Sequence, residues 1–155
     1  MKRAHILAVL VAMGTLAYGQ SAGKADAFGG KDLDAQIATL AQQAQASGSA
    51  GATLADYGSY KIQISVRTSS GGAEIHAHWD DVMLVKQGTA TLITGGTVVD
   101  AKAAENGETH GTSIQGGTSH TLHVGDVLTV NAGVPHQLIV PAGTVYAALV
   151  IKVKE

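Results

Sequence analysis

The sequence predicts an all-β fold, an antiparallel sandwich or barrel, preceded by one short helix. Two observations carry that expectation. From about residue 54 onward, short alternating runs are separated by glycine-bearing turns, the pattern of many short strands. Residues 31–46 instead repeat apolar side chains at spacings of three and four, through Leu33, Ile37, Leu40 and Ala44. The 155 residues suffice for one domain with a modest core.

Residues 1–19 read as a secretory signal. Lys2 and Arg3 form the charged start, Ile6 to Leu16 the apolar run, and Ala17-Tyr18-Gly19 the small-residue cleavage site. The expected domain organisation is therefore 1–19 signal peptide, 20–58 flexible leader with a short helix, and 59–155 β-domain. Within the leader, Asp32 or Asp34 can cap the helix and Ser47-Gly48-Ser49 can end it. Residues 60–67 alternate, with Ile62, Ile64 and Val66 on one face. Residues 69–72 form a turn before strands at 73–78 and 82–87, and Gly88 turns the chain into 89–94. Gly95-Gly96 leads into 97–99. Residues 100–112 are polar and read as a surface excursion. Strands resume at 113–115, 119–123, 127–130, 137–140 and 145–153.

Composition narrows the function. The formal net charge is −2, and loss of Lys2 and Arg3 with the signal would make it about −4. No basic stripe or aromatic-basic interleaving is present, which argues against nucleic acid, and the acidic balance argues against an anionic membrane surface. The expected location is secreted or periplasmic, with no membrane attachment after cleavage. With no cysteine there is neither a disulfide framework nor a cysteine nucleophile. Gly95-Gly96 and Gly116-Gly117 are turn glycines and not phosphate loops, since no helix follows them.

The stretch Glu74-Ile75-His76-Ala77-His78-Trp79-Asp80-Asp81 carries the chemistry. On a strand, Glu74, His76 and His78 share one face, and two imidazoles with a carboxylate suit a divalent metal. His136 follows about 60 residues later, behind Gly133-Val134-Pro135. His120 and His123 would point to opposite faces, and His110 lies in the polar excursion; all three read as structural or surface residues.

These residues resemble the cupin family in two motifs. In residues 125–140, Gly125, Gly133 and His136 fall at the spacing of the second cupin motif, with Asn131 in place of its proline and Val140 in place of its final asparagine. In residues 76–88, Asp81 stands before Gly88 as the carboxylate of the first motif should. The resemblance spans roughly residues 60–153. It implies a single antiparallel β-barrel of jelly-roll type. Asp81 follows His78 more closely than the family pattern, so two registers are open. Either His76 and His78 form the histidine pair with a shortened loop, or Glu74 and His76 take the two strand positions and His78 lies one step farther along or at the rim.

The implied ligand set is drawn from His76, His78, His136, Asp81 and Glu74. The implied cofactor is a divalent metal (Fe, Mn, Zn, Ni or Cu). Trp79 is a candidate for the barrel mouth, and Met83, Val85 and Ile93 for the apolar wall of a pocket holding a small-molecule ligand or substrate. The resemblance also implies dimerisation, and dioxygenase, isomerase or lyase chemistry, with no catalytic residue assigned. The alternatives are a non-catalytic ligand-binding barrel or a metal-free scaffold.

Overall fold

The computed structural model describes residues 25–155; the expected signal segment lies outside them. One helix, α1 (Gly30–Ser47), precedes β1 (Ser49–Asp56), β2 (Tyr60–Arg67), β3 (Ala73–His76), β4 (Trp79–Gln87), β5 (Ala90–Thr94), β6 (Thr97–Val99) and β7 (Lys102–Ala103). After a single 3-10 turn at Glu105–Gly107 come β8 (Glu108–Gly111), β9 (Ser113–Gln115), β10 (Thr118–Leu122), β11 (Val127–Val130), β12 (His136–Ile139) and β13 (Tyr146–Lys154). None of the described helices is long and apolar enough to cross a membrane.

The strands form two main sheets. The first has the order β1-β2-β13-β4-β11 and the second the order β10-β5-β12-β3-β8-β7, while β6 and β9 form a separate ribbon. All described strand pairs are antiparallel. The antiparallel, mostly β architecture agrees with the jelly roll expected above; its two main sheets are open and share one core, and neither closes into a single barrel among the described residues. Met83, Val85, Tyr146, Ala148 and Val150 of the first sheet pack there with Ala90, Leu92 and Leu122 of the second.

The helix lies outside this sandwich. Ile37, Leu40 and Ala44 pack on Leu54, Ile64, Val66 and Ala147, with Leu33 and Phe28 at the margin. β2 consequently turns its apolar residues, Ile62, Ile64 and Val66, away from the sandwich and toward the helix. Gly29 occupies the N-cap without a side-chain hydrogen bond; Asp32 falls in the first turn, where its charge suits the helix dipole. At the other end Gly48 adopts φ 83° and donates its N–H to the Ala44 carbonyl. The Thr68 hydroxyl also donates to Ala44, at 2.7 Å, tying the helix end to the exit of β2.

Two segments differ from the sequence expectation. Ser49–Asp56, placed in the leader, is the edge strand of the first sheet. Within the polar excursion, β8 pairs with β3, opposing His76 to Glu108. β1 alternates through Ala50, Ala52 and Leu54, but two of these side chains are too small to give a strong apolar signal, and β8 carries no apolar alternation.

Gly88 fixes the tight connection from β4 to β5. Its φ is +71°, and a Cβ there would stand 2.3 Å from the Val145 carbonyl oxygen. Gly88→Ala is expected to cost about 2 kcal/mol or more, from left-handed strain together with displacement of that carbonyl. A urea melt of the variant beside the parent measures it.

Candidate metal centre

The second sheet brings three donors together. His136 opens β12 directly opposite Glu74 of β3, and His76 lies two residues farther along β3 on the same face. The ligand atoms of Glu74, His76 and His136 all lie within 4.8 Å of one another. The Glu74 Oε2 is 3.9 Å from the His76 Nε2. The two imidazole centroids are 5.0 Å apart, and both rings are buried.

Each ring is oriented by its other nitrogen. The Nδ1–H of His76 donates to the carboxylate of Glu108, its cross-strand neighbour on β8. The Nδ1–H of His136 donates to the Val134 carbonyl at 3.1 Å. An imidazole whose Nδ1 carries the proton presents the Nε2 lone pair as a ligand. Both Nε2 atoms face Glu74 and Asp81. The donor set, two imidazole nitrogens and a carboxylate, fits a divalent transition metal, which would displace the second proton of His76 on binding.

Asp81 approaches from the first sheet. The chain leaves β3 after His76 and enters β4 at Trp79, crossing from one sheet to the other. On β4 the buried, inward positions are Asp81, Met83 and Val85. The Asp81 Oδ2 reaches 3.4 Å from the His76 Nε2 and 3.9 Å from the His136 Nε2. Its Oδ1 accepts a 2.6 Å hydrogen bond from the Lys152 ammonium of β13.

Electrostatics sort the groups. For Asp81, burial raises the pKa, but hydrogen bonds with His76 and Lys152 outweigh it and hold the carboxylate below its usual range. For His76, burial disfavours the charged ring, yet bonding to Asp81 and Glu108 outweighs it and lifts the pKa above 6.5. His136 goes the other way. Burial dominates and pushes its pKa down, so this ring is neutral at pH 7 and open to a cation.

His78 is not brought to this set. The strand ends at His76, so the two-residue alternation stops there, and His78 lies exposed in the crossover against Gly107. Of the two registers left open by the sequence, the geometry places Glu74 and His76 on the strand facing His136. Trp79 lies at an outer groove with Lys61 4.9 Å from its ring centroid. Met83 lines the cavity beside the triad, while Val85 is packed into the core. Ile93 stands on the opposite face of β5 from Leu92, which takes the lining position instead. His120 is hydrogen bonded to Thr94 at 3.0 Å, and His123 is exposed beside Asp126.

The cavity has a volume of about 400 Å³ and runs from the triad along the inner face of β2. Arg67 and Tyr146 also line it. The Arg67 Nη2 is 4.0 Å from the Glu74 Oε1. The sequence reading missed Glu108, Lys152 and Arg67. The alternation of Glu108 and His110 was the one available sign of a strand at β8; nothing local indicated that it pairs with β3.

No protein-family model and no curated protein matches the sequence. Solved structures do match by shape. The cupin domain of Schizosaccharomyces pombe Cnp3 superposes with a TM-score of 0.52 at 9% identity, covering 69% of this chain and 65% of that one. A double-stranded β-helix domain protein from Klebsiella pneumoniae gives 0.51 at 12% identity, covering 68% and 76%. A recombinant oxalate oxidase in complex with glycolate gives 0.50 at 13% identity, covering 69% and 51%. This chain thus spans less than two thirds of the Cnp3 and oxalate oxidase chains. The likeness shows a cupin-type fold.

Two outcomes follow from these side chains. Lys152→Met leaves the buried Asp81 without its cation and is expected to cost about 3 kcal/mol. Chemical denaturation measures that loss, and adding Asp81→Asn to the variant should recover part of it. Tyr146 has its phenol pushed up to about 12 from 10.0 by burial. Below pH 10 the folded and unfolded chains both keep this proton. Between pH 10 and 12 only the unfolded chain releases it, so about 2 kcal/mol of stability is lost as pH rises. Alkaline melts of Tyr146→Phe should show a shallower decline than the parent.

Proposed function

We propose that this protein is an exported, cupin-fold metal-binding protein that uses Glu74, His76 and His136 to hold one divalent transition metal beside a small-molecule cavity. The observation that carries the reading is the paired fixation of the rings. Glu108 and the Val134 carbonyl each occupy an Nδ1, so that both Nε2 atoms face a common space shared with the Glu74 and Asp81 carboxylates. Three donors from two adjacent strands, each ring fixed by its far nitrogen, form a pocket that a divalent cation fits.

A metal so held supplies Lewis acidity at coordination positions the three donors leave open. The surrounding residues do the rest. Asp81, kept ionised by Lys152, offers Oδ2 as a proton acceptor beside the centre. Met83 and Leu92 give the cavity an apolar wall that limits water. Chemistry of the dioxygenase, isomerase or lyase type on a small molecule suits this arrangement. Export rests on the signal-like pattern of residues 1–19.

Metal content of the purified protein tests the reading, after incubation with Fe(II), Mn(II) or Zn(II). Near-stoichiometric metal is expected in the parent and its loss in His136→Ala. Glu108→Gln, which weakens the support of His76, should lower affinity by about 10–100-fold. A parent that takes up none of the three metals would sink the proposal.

A further inference from the structure

We propose that the cavity binds a small organic carboxylate, its carboxyl group held by Arg67 and the Tyr146 hydroxyl while a second oxygen of the same molecule faces the metal. This rests on the metal-binding reading above and adds the class of ligand.

The first support is an inward polar wall. β2 buries its apolar side under the helix and lines the cavity with Gln63, Ser65 and Arg67. These side chains are half-buried; Gln63 donates to the Thr53 hydroxyl and Arg67 faces Glu74, so the wall is polar and keeps donors free for an occupant.

The second is an orphan hydroxyl. Tyr146 is 1% exposed, and its buried hydroxyl has no hydrogen-bond partner. Such groups are rare, since the lost solvation goes uncompensated. Tyr146 stands directly opposite Arg67 in the β2–β13 ladder, so the two side chains leave the sheet as neighbours on one face. With its phenol pKa near 12, Tyr146 remains a donor at neutral pH. A planar guanidinium and a hydroxyl donor lining one cavity suit the oxygens of a carboxylate.

The third is charge. Lys152 neutralises Asp81. Glu74 alone is then shared between the metal and Arg67, its two oxygens facing His76 and the guanidinium respectively. A divalent cation together with Arg67 exceeds the two carboxylates Glu74 and Glu108 by one charge, and a bound monoanion restores the balance.

The test is calorimetric titration of the full chain, loaded with Mn(II) after its metal uptake has been titrated in the same preparation. Lactate and pyruvate are the probes; lactamide and pyruvamide are their uncharged counterparts, and inorganic phosphate is a competing anion. Both acids should bind at least about tenfold more tightly than their amides. Arg67→Gln should weaken acid binding by about tenfold or more, Arg67→Lys by less, and Tyr146→Phe by about fivefold. Because the hydroxyl touches no protein partner, Tyr146→Phe should keep the parent's metal affinity and melting temperature at neutral pH, which separates a ligand contact from a structural one. Metal uptake with no preference for acids over amides overturns the carboxylate inference and leaves the metal reading standing. Phosphate bound in preference to both acids also overturns it. Absence of metal uptake overturns both.

Discussion

The polar interior of this sandwich depends on the contact between the helix and β2. A strand with Ile62, Ile64 and Val66 on one face and Lys61, Gln63, Ser65 and Arg67 on the other must bury the first face somewhere. Here α1 covers it from outside. The second face is then free to look inward and remain polar. In a two-layer sandwich without the helix, the same strand would have to reverse, and the wall opposite the metal donors would become apolar. The apolar core is accordingly displaced to the other half of the sandwich, between β4, β13 and β11 on one side and β5, β10 and β12 on the other.

Within that polar half, charges are placed in pairs that divide the work. Lys152 fixes Asp81 through one oxygen, Glu108 fixes His76 through Nδ1, and Arg67 stands beside the outer oxygen of Glu74. Each partner lies on a different strand from the group it serves. The inner atoms, the Glu74 Oε2 and both Nε2 atoms, are left facing a common space. Low local dielectric makes each pairing matter, because a buried charge without its partner would shift its protonation state or destabilise the fold.

How much of this was legible in the sequence follows from which interactions are local. The helix was readable because Leu33, Ile37, Leu40 and Ala44 repeat along one segment, and β6, β9 and β11 because turns bracket them. Glu74, His76 and His136 could be named from spacing and motif. Their mutual arrangement could not, since it depends on β12 pairing with β3 and not on either strand alone. Strand alternation left two registers open, and the one that pairs His78 with His76 requires the strand to continue past His76. In fact the chain changes sheets there, which moves His78 outward and lets Asp81 enter from the opposite side. Glu108 and Lys152 were invisible for the same reason. Cross-strand partners lie far apart in sequence, and nothing in the short polar β8 or near the end of β13 identifies a contact with His76 or Asp81.

The three donors of the candidate centre stand on two adjacent strands of one sheet, joined by backbone hydrogen bonds. Asp81 and Lys152 stand on the other. The donor triangle is therefore set by the pairing within one layer, whereas the distance from Asp81 to the two rings is set by the packing between layers.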